Sequence, residues 1–271
     1  VKEYLAQVIM NSNYDKEVSP NEACGSDEPV KVEFQFALVY IGSISQMLGQ
    51  VTLGGYFRQY WKDPRLAFDS TGDGCPKTLT MPVKFKPTDH IWTPNLYIDN
   101  GVAWRRGASL TTVSPDGSVF TSEEASITLK LNMRFDRIPF DQHKVFMELA
   151  SYSMDSDTVR LMAKDGKAGA GTSGIGMTTT KIEDPVWWIE GREAAKSGFS
   201  TPGEVVVKDF GSDWDYLTVS FEVTRRTKYL VDNVLLQDLM FLAVCYMGFF
   251  VDPGVAPARA AMAVIPVLIM R

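Results

Sequence analysis

A chain of 271 residues, 45% hydrophobic and 22% charged, is too apolar for a disordered polypeptide and long enough for one large or two small domains. Its formal net charge of -6 carries no basic footprint of the kind that phosphate backbones attract, so no nucleic acid is expected among its partners. The histidines His90 and His143 and the cysteines Cys24, Cys75 and Cys245 offer no zinc spacing and no ready haem or iron-sulfur set, so neither metal nor cofactor is expected.

Val1 to Met10 places Leu5, Val8 and Ile9 at helical spacing, and the polar, proline-containing segment Asn11 to Val30 ends the pattern; a short N-terminal helix is expected there. From Val32 the period becomes two, so Val32, Phe34, Phe36, Leu38 and Tyr40 share one face of a strand. Further strands are expected at Gln50–Tyr60, His90–Leu96, Ala108–Val113, Ser118–Phe120, Ser126–Arg134, Lys144–Tyr152, Val186–Glu190 and Tyr216–Thr224, with Ser114-Pro115-Asp116-Gly117 as a turn. Ala168–Thr180 and Lys196–Gly203 cannot bury enough apolar surface to order themselves and are read as loops. Many short strands without alternating long helices predict an antiparallel β-sandwich, a mainly β protein.

After Arg226 the composition changes. Leu239 to Val251 has no charged residue, and beyond Asp252-Pro253-Gly254 a second apolar run goes from Ala260 to Met270. The first run is shorter than the ~20 residues that cross a bilayer. Extending it back to Tyr229 gives an adequate span, in which Asp232, Asn233, Gln237 and Asp238 must face headgroups or protein. The expected organisation is a sandwich domain over residues 1–228, then a first and part of a second α-helical transmembrane segment over 229–271. With no polar exit after the second run and no charged, apolar leader, the sequence is expected to be a fragment whose secretion signal has been removed or left out.

Five segments stand out in order: Tyr14–Asn21, Tyr56–Leu66, Trp92-Thr93-Pro94 with Asn100, Phe135–Gln142, and Ala256-Pro257-Ala258-Arg259 before the second apolar run. Together, over nearly the whole chain, they resemble the pentameric ligand-gated ion channels of the Cys-loop receptor superfamily. Tyr14–Asn21 is similar to the linker after that family's N-terminal helix. Tyr56–Leu66 is similar to the second strand of its anion-conducting members, and Trp92-Thr93-Pro94 to its Trp-x-Pro signature, with Asn95 where an Asp is usual. Phe135–Gln142 resembles the centre of the loop that names the family, with Leu131 and Val145 in place of the two cysteines, as in prokaryotic and other cysteine-less members. Ala256–Arg259 resembles the pore entrance of glycine- and GABA-type receptors.

The resemblance implies an immunoglobulin-like extracellular sandwich that binds a small agonist between subunits. On the principal face it marks Tyr97, then Tyr152 with Ser151 beside it, then Trp214 with Phe210 nearby, as rings able to hold an ammonium group. On the opposite face it marks Tyr56, Arg58 and Ser122. An arginine fork pairs bidentately with a carboxylate, so the implied agonist carries an amine and a carboxylate. Ala150 replaces a common glutamate; Asp99 or Asp213 could supply its charge, or the ligand lacks an amine. Both faces in one chain imply a homopentamer. Pro139, Phe140, Asp141 and Arg225 are implied to couple the sandwich to the membrane.

Pro257, Ala261, Ile265 and Leu268 share one helical face and are implied to line the pore, with Leu268 as an apolar gate. No glutamate precedes Arg259, which points to a permeant anion, although Pro266 inside the pore helix and Gln237 in the first are unusual for the family. Cys24 and Cys75 are expected to form a disulfide in place of the missing bridge, and Cys245 to stay a buried thiol. The implied localisation is the cell membrane, multi-pass, with residues 1–228 extracellular. Competing readings are a cation-conducting or proton-gated member with Asp99, Asp232 and Asp238 titrating, or a soluble-type binding sandwich on an anchor. An enzyme built on Ser151 or Ser153 with His143 lacks an orienting acid and a nucleophile elbow.

Overall fold

The computed structural model describes residues 14–71, 77–81, 90–134, 136–164, 174–177, 187–189, 200–201, 203–252 and 254–269. The expected N-terminal helix and Cys75 lie outside them. The strands are β1 (Val30–Ser45), β2 (Gln50–Lys62), β3 (Leu79–Thr80), β4 (Leu96–Ile98), β5 (Gly101–Val113), β6 (Ser118–Lys130), β7 (Gln142–Ser151), β8 (Val159–Ala163), β9 (Gly174–Met177), β10 (Trp187–Ile189), β11 (Ser200–Thr201), β12 (Gly203–Asp209) and β13 (Asp213–Arg225). One sheet runs β11-β9-β1-β2-β6-β5-β3 with β8 also on β1; the other runs β10-β13-β7-β4 with β12 on β13. The chain is mainly β, a sandwich of largely antiparallel sheets in which β1 pairs in parallel with β8 and β9.

The core follows from alternation. Val32, Phe34, Phe36 and Leu38 of β1 are fully buried with Leu53 and Phe57 of β2, Ile127 and Leu129 of β6, Val145, Met147 and Leu149 of β7, and Leu217 and Val219 of β13. Each such Phe or Leu contributes roughly 1.5–3 kcal/mol of transfer free energy. Phe57 sits at the centre, its ring 4.8 Å from both Phe34 and Trp104.

Several expectations are corrected. Tyr40 leaves the core face of β1 and is 48% exposed, because a register shift between Leu38 and Tyr40 reverses the alternation. His90–Leu96 is not a strand up to Leu96: Pro94 cannot donate to a ladder and Asn95 has φ 46°, so pairing starts only at Leu96. The two segments expected around residues 118–134 are one strand, held through the polar stretch Ser122-Glu123-Glu124 by unbroken pairing with β2. Gly174–Met177, read as loop, adds to β1, and Ser200–Thr201 adds to it in turn. Backbone hydrogen bonds to an open edge order these residues where side-chain burial could not.

Three of the motif segments meet in one structural knot. The Tyr14 hydroxyl donates to Asp63 Oδ2 at 2.7 Å and accepts from the Trp92 amide at 2.9 Å. Arg65 forks onto the fully buried Asp63 carboxylate, 2.8 Å to each oxygen, with its guanidinium 4.3 Å from the Tyr14 ring centroid. Burial pushes the Tyr14 hydroxyl pKa up. The turn at Ser114–Gly117 closes against the same segment, with Asp63 N donating to Gly117 O at 2.9 Å.

Contacts divide the chain into two units. One holds the described residues of Val1–Met133, His143–Ile182 and Ile189–Glu222; the other holds those of Arg134–Gln142, Glu183–Trp188 and Val223–Arg271. In the second unit, a helical turn at Thr227–Leu230 and a π-helical turn at Val231–Leu235 lead into the helix Leu236–Met247, and Ala256–Ile269 forms another helix that runs on through Pro266. Val231–Phe250 is long and apolar enough to cross a membrane, and Leu239, Met240, Leu242, Met247, Phe249 and Phe250 on it are at least 63% exposed. Cys245 is half-buried rather than buried; its free thiol donates to the Met262 carbonyl at 3.4 Å, which joins the two helices.

Candidate ligand-binding site

The first half of the site is an aromatic cluster on β4, the end of β7 and the β12–β13 hairpin. Tyr97 and Tyr152 meet edge to face at 5.6 Å between centroids. The Tyr97 hydroxyl lies 3.1 Å from that of Tyr216 and donates to Asp99 Oδ1 at 3.4 Å. Phe210 lies 6.3 Å from Tyr216. Burial, then the Tyr216 hydroxyl, raises the Tyr97 pKa, so the phenol stays a neutral donor. Tyr152 and Phe210 are 72% and 68% exposed, so the cluster has a buried floor at Tyr216 and open rims.

Four of the marked residues are therefore together: Tyr97, Asp99, Tyr152 and Phe210. Trp214 is turned to its own hairpin, its indole N–H donating to Ser212 Oγ at 3.1 Å. Ser151 is buried and its hydroxyl donates to the Pro94 carbonyl at 3.0 Å, which commits it to holding the Trp-Thr-Pro segment rather than a ligand. Asp213 falls on the side of β13 away from Tyr216, with Asp215, which is buried against Ser156. Sequence reasoning missed Tyr216. The signal was available: two residues after Trp214 on a strand, it must share that side chain's face.

The second half lies on β2 and β6. Tyr56 is 40% exposed, and the half-buried Arg58 holds its guanidinium 5.7 Å from the Tyr56 centroid. Ser122 stands directly opposite Arg58 in the ladder. Arg58 Nε is buried without a hydrogen-bond partner among the described residues, a donor that a carboxylate would satisfy. Beside it, a groove of about 260 Å³ is lined by Tyr40, Tyr56, Arg105, Arg106 and Glu124. Arg105 and Arg106, which the sequence reading did not mark, add positive charge to this face.

In the second unit Arg225 forks onto Asp141 at 2.6 and 2.8 Å, both residues at most 5% exposed, and the Arg225 backbone N–H also donates to the Asp141 carbonyl. Its guanidinium lies 4.3 Å from the Trp187 centroid, a partner the sequence reading missed. Next to Asp141, Pro139 follows a cis peptide bond and Phe140 is 72% exposed. Pro257 and Ala261 are exposed on the helix Ala256–Ile269; Ile265 and Leu268 lie on the same helix, their side chains outside the described part. Arg259 Nε donates to the Gly248 carbonyl at 3.2 Å. Cys24 stands at the C-terminal cap of the short helix Pro20–Ala23 and is exposed; its expected partner Cys75 lies outside the described residues.

Comparison with known proteins bears on the whole arrangement. The family model described as the neurotransmitter-gated ion-channel ligand binding domain matches residues 2–227. The gamma-aminobutyric acid receptor subunit rho-3 of Homo sapiens is 25% identical over 248 residues, covering 89% of this chain and 49% of the relative. Subunit rho-1 of Homo sapiens is 24% identical over 270 residues, 97% and 52% respectively. The glutamate-gated chloride channel of Drosophila melanogaster is 23% identical over 280 residues, 99% and 56%. The chain spans about half the length of the curated relatives it matches.

Proposed function

The chain belongs to the neurotransmitter-gated ion-channel family, a family of channels and not of enzymes, and from that premise we propose that it is a subunit of a homopentameric channel opened by a small amino-acid-like agonist. The observation that carries this reading is the presence, in one chain, of both halves of a composite site. Arg58, with an unsatisfied buried donor, Tyr56 beside it and Ser122 opposite, takes the agonist carboxylate. The cluster of Tyr97, Tyr152, Phe210 and Tyr216 takes its other end. A closed ring brings one copy's first half against the next copy's second, so identical subunits suffice.

Residues 1–228 face the outside of the cell, and the segments after Tyr229 enter the membrane. The buried Asp141–Arg225 fork ties the loop bearing Pro139 and Phe140 to the strand that leads into the first membrane helix, and so couples ligand binding to the pore. Pro257, Ala261, Ile265 and Leu268 line that pore, and Leu268 closes it by dewetting. The permeant ion is an anion: Pro257-Ala258-Arg259 lacks a preceding glutamate, and one relative is a chloride channel by name.

The test is current recorded from cells expressing the complete gene product during application of small amino acids. Arg58→Ala is expected to abolish or strongly right-shift the response while the pentamer still assembles at the surface, which surface labelling of the variant checks. An unchanged dose response in an assembled Arg58→Ala channel would refute this assignment.

A further inference from the structure

The aromatic cluster already holds a cation. Register in the β12–β13 hairpin sets Lys208 opposite Trp214 and Val206 opposite Tyr216, so the Lys208 side chain reaches along the hairpin over the Tyr216 ring. Its ammonium lies 3.7 Å from that ring's centroid and 3.5 Å from Glu148 Oε1. Glu148 is on β7, two residues before Ala150 and on the same face. Lys208 and Glu148 are mostly buried, at 34% and 25% side-chain exposure. The ring they occupy is the buried floor of the cluster, joined to Tyr97 through the paired hydroxyls.

Resting on the reading that this cluster is half of the ligand site, we propose that Lys208 is its resident cation and determines which ligands it accepts: an ammonium that carries no carboxylate is refused, because Lys208 already occupies the Tyr216 ring, and a ligand is admitted on its carboxylate. A tethered ammonium reaches the ring without the translational and rotational cost that a free amine bears on association, so the resident wins the competition for the face. A second cation beside Lys208 also meets like-charge repulsion in a partly desolvated place. The Glu148 carboxylate beside the ring is engaged by Lys208. Asp99 contacts the Tyr97 hydroxyl at the cluster's other side and leaves the Tyr216 face to Lys208.

The probe is choline, an ammonium without a carboxylate, against glutarate, a carboxylate without an amine, each measured by equilibrium binding to the complete gene product. Wild type is expected to bind glutarate and not choline. Lys208→Met keeps the apolar stem and removes the charge, leaving Glu148 unmatched beside a vacant ring; choline affinity should rise roughly tenfold or more, the scale of one ammonium–aromatic contact. Lys208→Arg, which restores a cation, should return choline binding to the wild-type level. Choline binding of equal strength in wild type and Lys208→Met overturns the proposal, as does no choline binding in either when both bind glutarate. Loss of the wider reading has a different signature: glutarate binding unaffected by Arg58→Ala.

Discussion

Arg58 and Glu123 sit on adjoining strands in registers that put them on opposite faces of the sheet. Glu123 pairs with Arg106 at 3.6 Å, and burial, only partly offset by that guanidinium, raises its pKa above the ordinary carboxylate value. An acid whose folded pKa is raised binds more protons folded than unfolded, so the protein loses stability as pH climbs from the ordinary glutamate range through the folded value. Glu123→Gln should flatten that slope and raise the melting temperature at neutral pH; a variant with the wild-type pH profile contradicts the sign. At the Asp141–Arg225 fork, Asp141→Ala removes the bidentate partner of a buried guanidinium and should cost about 3–5 kcal/mol, with much of the loss recovered in Asp141→Ala/Arg225→Met. Additive losses in thermal unfolding would show that the pair does not act as a unit. Arg58 and Asp141 could be singled out in the sequence because each sits inside a recognisable motif, and Tyr97 and Arg225 because each lies a few residues from a landmark, the Trp92-Thr93-Pro94 segment and the start of the apolar run. Lys208 and Glu148 were not, since nothing in one dimension says that a hairpin lysine will lie over a particular ring.

At the scale of elements, the turn Ser114–Gly117 could be read from its residues, and the structure adds why its last one is glycine: Gly117 has φ +80°, and a Cβ there would stand 2.5 Å from the Asp63 carbonyl. Gly117→Ala should therefore destabilise by about 1–3 kcal/mol, read as a lowered melting temperature. A neutral effect would mean that the β5–β6 turn does not lock the Asp63 segment. The strands with strict alternation, β1 to Leu38 and β13, were legible for the same reason that they are stable, one face being buried along their length. β9 and β11 were illegible because backbone pairing, of β9 with β1 and of β11 with β9, orders them, and a Gly- and Thr-rich sequence carries no mark of that. His90–Leu96 misled in the opposite direction: Ile91 and Trp92 are core residues in an irregular segment that Tyr14 and Ser151 hold by hydrogen bonds.

For the molecule as a whole, the chain joins a sandwich that offers a guanidinium on one sheet and a ring cluster on the hairpin side to a helix long and apolar enough to cross a bilayer. On the proposed function, ligand arrival at the sandwich opens an anion pore. The most direct measurement is the reversal potential of the agonist-evoked current in cells expressing the complete gene product, taken as external chloride is replaced by an impermeant anion. An anion pore gives a reversal potential that tracks the chloride equilibrium potential and ignores replacement of sodium. An evoked current that follows sodium instead, or no evoked current from a pentamer that binds ligand at the surface, would contradict it.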